Sequence, residues 1–244
     1  MIQACLNGRR TTRDHPAVPL TARQLARDAE LARAAGASGV HLHPRDRHGG
    51  ESLDAAVVSE AVRAVRRACP GLEVSVSTGL WMCEGDASAR EAAVAGWADA
   101  EHRPDVVSLN LDEPGFGRMA GALGELGVGV EAGVWSSADA ERLLDGPHAA
   151  TCHRILVEMI DLPTERALPE ADGILDRLAR ARLDVPVLLH GEGECTWPVL
   201  DHALALGLQT RIGLEDTLTD PEGRDVDGNA ALVRHAVTRR ARVH

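Results

Sequence analysis

Apolar residues in this chain come in short runs, each followed by an Ala/Arg/Leu-rich segment whose apolar positions recur at helical spacing. The first run, residues 2–6, leads through a Pro-containing loop to a helix near Thr21, where Thr21 and Gln24 form a capping-box pattern; Gly36 stops it. The run 39–43 precedes a helix over 52–68 closed by Pro70-Gly71, the run 73–77 a helix near 87–100, and the run 105–110 a shorter one near 118–126. The same alternation continues with 128–134 and a helix from Ser137, then 154–159 and a helix over 169–182. It ends with 185–190 and a helix near 197–206, then 210–214 and a helix near 229–242. Strands separated by helices of this length call for a parallel sheet with right-handed crossovers. Eight such units without a linker predict an α/β chain folded as one (β/α)8 TIM barrel over residues 1–244. The alternative, an open doubly wound sheet, is weakened because the first βα turn carries no GxGxxG fingerprint.

Composition narrows the chemistry available to that frame. All 26 Lys+Arg positions are Arg and no Tyr occurs, which excludes imine-forming lysines, a P-loop lysine, carboxylated-lysine metal bridges and a catalytic tyrosine. The net charge of −11, with Arg scattered among acidic residues, argues against nucleic-acid binding. Five Cys without a CxxC pair, and an N-terminus that runs straight into a strand, fit a cytoplasmic protein. No apolar stretch approaches the roughly 20 residues that span a bilayer, so no membrane association is expected.

In a TIM barrel, functional side chains lie at the carboxyl ends of the strands. The second strand ends in His41-Leu42-His43, and alternation along a strand points both imidazoles to one side, a rigid offer of two metal-ligand nitrogens. The eighth run ends in the adjacent carboxylates Glu215 and Asp216. In a closed barrel that strand lies one strand away from the second, so Glu215 is a candidate third ligand and Asp216 a candidate base. Without a metal, the same residues would read as two polar histidines at a barrel mouth and an acidic pair at a helix N-terminus.

The segments Ala4-Cys5-Leu6-Asn7-Gly8, His15-Pro16-Ala17-Val18-Pro19-Leu20-Thr21, Val40-His41-Leu42-His43-Pro44-Arg45-Asp46, Ser77-Thr78-Gly79 and Arg211-Ile212-Gly213-Leu214-Glu215-Asp216 resemble the β-keto acid cleavage enzymes, in the same order along nearly the whole chain. The resemblance implies a zinc enzyme that reacts a small-molecule β-keto acid with acetyl-CoA to give acetoacetate and a new acyl-CoA. It further implies His41, His43 and Glu215 as Zn2+ ligands, Asp216 as general base, and Arg211, Ser77 and Thr78 as supporting groups at strand ends. Glu131 is expected at the end of the fifth strand and matches a glutamate that lines the family's pocket, and Ser108 and Asn110, at the end of the fourth, are further lining candidates. Asn7 stands where the family has an acidic residue, and its amide is expected to hydrogen-bond substrate. A homo-oligomer, tetramer or dimer, is also implied.

The candidate mouth is rich in carboxylates, Asp112, Glu113, Glu131, Glu158, Glu192 and Glu194, which suits a β-keto acid with a cationic tail met by Glu131 or Glu158. His190 and Cys195 offer a second cluster, although no His/Asp relay is spaced around the thiol. A metal-dependent hydrolase or lyase on a TIM barrel, and a non-catalytic ligand-binding barrel, are the competing readings.

Overall fold

The computed structural model describes residues 1–243. Eight strands, β1 (Ile2–Cys5), β2 (Gly39–Leu42), β3 (Glu73–Ser77), β4 (Val106–Asn110), β5 (Gly129–Val134), β6 (Arg154–Met159), β7 (Val187–Gly191) and β8 (Thr210–Ile212), pair in parallel in the order β7-β6-β5-β4-β3-β2-β1-β8. The ring closes between β7 and β8 through a short bridge, in which Leu189 N–H donates to the Gln209 carbonyl at 2.9 Å and Thr210 Oγ1 to the Leu189 carbonyl at 2.8 Å. Outside the strands lie α1 (Ala22–Ala35), α2 (Ala55–Ala68), α3 (Ala87–Ala95), α4 (Phe116–Glu125), α5 (Ser137–Asp145), α6 (Thr164–Ala181), α7 (Thr196–Ala205) and α8 (Asn229–Val243). This is the TIM barrel that the alternation predicts, and its apolar core fills the layer between strands and helices. Among the described residues, no helix is long and apolar enough to cross a membrane.

Local chemistry sets the element ends. Thr21 and Gln24 cap α1 reciprocally, and Gly36 takes φ 111° beyond its last turn. The helix expected from residue 169 begins a turn earlier, at Thr164, and carries Pro169 inside it. Proline lacks an N–H to donate, so the sequence favours a start at Pro169; packing of Ala167, Ala171, Ile174 and Leu178 extends the helix before it.

The barrel interior is polar below the mouth. Glu131 does not end β5: it lies mid-strand, fully buried, accepts from Gln3 Nε2 at 3.2 Å and from the Ser75 hydroxyl, and forms an ion pair with Arg154, whose Nε lies 3.1 Å from its Oε1. It therefore belongs to the barrel floor instead of the pocket wall expected for it. Arg154, opposite Glu131 in the β5–β6 register, also binds Glu73, so the buried charges are paired.

The amide of Asn229 fastens the seam beside the site. Its Oδ1 accepts from Leu214 N–H at 2.7 Å, while its Nδ2 donates to the Leu6 carbonyl at 2.7 Å and to Asp28 Oδ2 at 2.6 Å. Burial raises the Asp28 pKa to about 6 despite that hydrogen bond. The folded state thus favours protonated Asp28, whose stabilising contribution is full below the unfolded carboxylate pKa and lost as pH rises through about 6. Asp28→Asn is expected to stabilise the fold by about 1–2 kcal/mol at pH 7.5 and by almost nothing at pH 4. Equal urea midpoint shifts at the two pH values would contradict this.

Candidate active site

At the carboxyl ends of the strands lies a cavity of about 490 Å³ whose wall includes His41, His43, Ser77, Trp81, Ser108, Asn110, Trp135, Glu158, Glu192, Arg211 and Glu215. His41 and His43 leave β2 on the same side, and their Nε2 atoms are 3.3 Å apart. Glu215 arrives from beyond β8, its Oε1 3.6 Å from His43 Nε2. Two glycines make that approach possible. A Cβ on Gly213 would lie 1.8 Å from the Cys5 carbonyl oxygen, and one on Gly8, whose φ is +52°, would meet Glu215 Cγ at 2.5 Å. One ligand atom from each of His41, His43 and Glu215 falls within 4.8 Å of the others.

The remaining ring nitrogens of the imidazoles are occupied. His41 Nδ1 lies 3.0 Å from Ser75 Oγ, whose hydroxyl donates to Glu131, and His43 Nδ1 lies 2.5 Å from Glu51 Oε1. Both Nε2 atoms are thereby aimed at the centre. Burial holds the His41 pKa down to about 3. Burial also opposes charge on His43, but the Glu215 and Glu51 carboxylates outweigh it and raise the pKa to about 9. The two Nε2 atoms thus face each other where the three candidate ligands converge. Burial opposes charge on Glu215 as well, yet Arg211 and the histidines hold its carboxyl well below the usual range. Its buried Oε2 has no hydrogen-bond partner. Two oriented imidazoles and a carboxylate with a free oxygen fit a divalent metal with an open coordination position.

Arg211 spans the next carboxylates: its Nη2 lies 3.1 Å from Glu158 Oε2 and 3.4 Å from Glu215 Oε1. Glu158 also accepts from Trp135 Nε1 at 3.0 Å and pairs with His190 Nε2 at 2.9 Å. His190 Nδ1 is 3.4 Å from Asp216 Oδ1. Asp216, expected as the base, is fully buried and is not part of the cavity wall, and neither of its carboxylate oxygens is hydrogen-bonded. Glu192 faces the cavity; burial, then the charges of Asp216 and Glu215, raise its pKa to about 7.

The expected substrate-binding residues divide. Ser108 and Asn110 line the cavity, as does Ser77. Thr78 does not, its hydroxyl being committed to the Ser108 carbonyl at 2.6 Å. Asn7 is also buried away from the cavity: its Nδ2 donates to the His43 carbonyl and its Oδ1 accepts from the His43 N–H, both at 2.9 Å. Both faces of that amide are used on the His43 backbone, so Asn7 holds a candidate ligand in place. Glu113 is bound to Arg90 and the Leu80 N–H. The buried Cys195 thiol donates to the Met159 and Glu192 carbonyls, and burial raises its pKa, the opposite of an activated nucleophile. Sequence reasoning missed Arg9, Arg10, Asp14, Trp81, Trp135 and Asp161 on the cavity wall and Glu51 behind His43; alternation gives no signal for loop residues.

Fold and site together define a TIM barrel with a His-x-His and carboxylate centre at its carboxyl face. The family model of the beta-keto acid cleavage enzymes matches residues 1–125 and 163–243, and the chain belongs to that family. Among curated relatives, the 3-keto-5-aminohexanoate cleavage enzyme of Fusobacterium nucleatum is 40% identical over 80 residues, 32% of this chain and 29% of that protein. The enzyme of the same name from Acetoanaerobium sticklandii is 30% identical over 124 residues, 48% of this chain and 41% of that one. The matched stretches thus span less than half the length of either relative. The apo structure of ObcA superposes with a TM-score of 0.72 at 19% identity, over 91% of this chain and 61% of that one. The ternary complex of ObcA with a C4-CoA adduct and oxalate gives 0.70 at 19% identity, over 93% and 64%. These two likenesses support the fold.

Proposed function

We propose that this protein cleaves a β-keto acid by exchange with acetyl-CoA, giving acetoacetate and a new acyl-CoA. The observation that carries the reading is that the two segments matched by the family bring His41, His43, Arg211 and Glu215 to one cavity wall, with Asp216 buried behind them against His190 from β7. His41, His43 and Glu215 would hold a zinc ion, which when bound supplies Lewis acidity toward a keto and a carboxylate oxygen and so acidifies the carbon between them.

The chain's own groups account for the rest. Asp216 takes the proton from that carbon, its lone pairs left free by the absence of hydrogen-bond donors. The carbanion attacks the thioester carbonyl of acetyl-CoA, and the thiolate leaves. That thiolate then adds to the original keto carbon; the bond to the former central carbon breaks, and its electron pair takes back the proton held by Asp216, which releases acetoacetate and the new thioester. Arg211 steadies negative charge on the reacting oxygens, and Ser77, Ser108 and Asn110 orient the substrate by hydrogen bonds. Arg9 and Arg10, at the cavity rim, meet the coenzyme's phosphates, since no lysine exists to do so.

The tail of the substrate faces Trp135, Glu158, Ile160 and Asp161, all from the stretch between the two matched segments, and Glu192 from β7's loop. Glu131 and Glu158, the acidic partners expected for a cationic tail, are already paired with Arg154 and with Arg211 and His190. Asp14, also on the wall, accepts from the Thr11 N–H and hydroxyl, which leaves Glu192 and Asp161 as the cavity carboxylates to meet such a cation.

Acetyl-CoA consumption and acetoacetate release, measured over neutral, acidic and aminated β-keto acids, test the reading. Turnover should favour the aminated members, and Glu192→Gln should lower kcat/KM for those by about tenfold or more while sparing the neutral ones. Preference for neutral substrates would remove the cationic tail. No acetoacetate from any member would remove the activity.

A further inference from the structure

His43 is gripped from outside the barrel by a loop structure that His41 lacks. Glu51 lies in the loop after β2, fixed by an antiparallel bridge to Arg45 and by the Ser52 N–H donating to the Pro44 carbonyl at 2.9 Å. Its carboxylate takes His43 on one side and Trp81 Nε1–H on the other, 3.4 and 3.3 Å from its two oxygens. The Trp81 indole lies nearly parallel to the His43 ring, centroids 6.3 Å apart at 24°, and Arg9 covers it at 5.8 Å. Trp81 can sit there because position 79 is glycine: a Cβ would come 2.1 Å from its six-membered ring. His41 Nδ1 meets only a neutral hydroxyl, that of Ser75.

We propose that Glu51, held by Trp81, is the positioning residue that sets how tightly His43 binds the metal, an inference that rests on the His41–His43–Glu215 ligand reading. An imidazole that donates Nδ1–H to a carboxylate keeps its Nε2 lone pair toward the centre and has more electron density to give it. Serine fixes the orientation of His41 but adds no charge. Glu51 therefore distinguishes two ligands that leave the same strand two residues apart. Trp81 completes the device: its N–H holds the carboxylate in register, with its ring alongside that of His43.

Zinc affinity of the full chain, measured by competition with a chromophoric chelator, tests this without reference to turnover. Glu51→Gln should weaken zinc by about 10–100-fold and shift the visible absorption of the Co2+-loaded protein. Trp81→Phe keeps a ring on Gly79 but removes the donor that holds Glu51, and should weaken zinc by about threefold or more. If Glu51→Gln does not fold, as judged by its thermal melt, Trp81→Phe decides alone. Parent-like affinity in the folded variants, with one zinc per parent chain and none in His41→Ala, would overturn the role of Glu51 and leave the ligands standing. A parent that binds no zinc, or His41→Ala binding as tightly as the parent, would overturn the ligand reading and the inference with it.

Discussion

His41→Ala will leave a chain that retains no divalent ion at the barrel mouth and turns over any substrate at least about 10³-fold more slowly. His41 is fully buried, with one ring nitrogen fixed by Ser75 and the other 3.3 Å from His43. Its loss leaves one imidazole and one carboxylate, and Arg211 already draws on that carboxylate. Two donors do not make a tight zinc site, whereas three with an open position do. Elemental analysis after dialysis checks the prediction directly. One ion per chain retained in the variant would place the metal, and the chemistry it supports, elsewhere.

Asp216→Asn should show opposite signs in two measurements. Turnover falls by about 10²–10⁴-fold, the usual contribution of a positioned base. Stability to urea stays level or rises, because a buried carboxylate without hydrogen-bond donors is costly in the native state and an amide is less so. His190 retains Glu158 at 2.9 Å when its 3.4 Å contact to Asp216 loses charge. A loss of about 3 kcal/mol or more would instead make Asp216 the structural partner of His190. Glu192→Gln serves as the comparison, since Glu192 faces the cavity and its pKa is raised to about 7. If that variant loses more kcat than Asp216→Asn, Glu192 is the proton acceptor.

What the residues could and could not foretell follows from the range of the forces involved. His41 and His43 were legible because strand alternation alone puts them on one side, and Glu215 because a closed barrel brings the eighth strand next to the first. Glu131 was misread as a strand-end pocket residue: its run was correctly bounded, but a charge in mid-strand is explained only by Arg154 opposite it on β6. That pairing depends on register between elements more than 20 residues apart, which periodicity within one element does not encode. Asn7 was read as facing substrate, and the His43 backbone that occupies it is likewise 36 residues away. Glu51 and Trp81 sit in a loop and a short 3-10 turn, Leu80–Cys83, where no repeating pattern exists to betray them.

The short β8 and the Asn229 amide give the candidate metal centre a dependence on chain connectivity. Glu215 reaches the β2 histidines only once β8 has paired with β1, and Leu214, next to it, is tied by Asn229 to Leu6 and to the start of α8. The donors thus straddle the junction between the first and last parts of the polypeptide. An ion held there acts as a clasp on the closed ring, so its binding free energy adds to the cohesion of the termini by mass action. A fragment ending before residue 229 would contain all three donors and still lack the fastening that brings the carboxylate to the imidazoles.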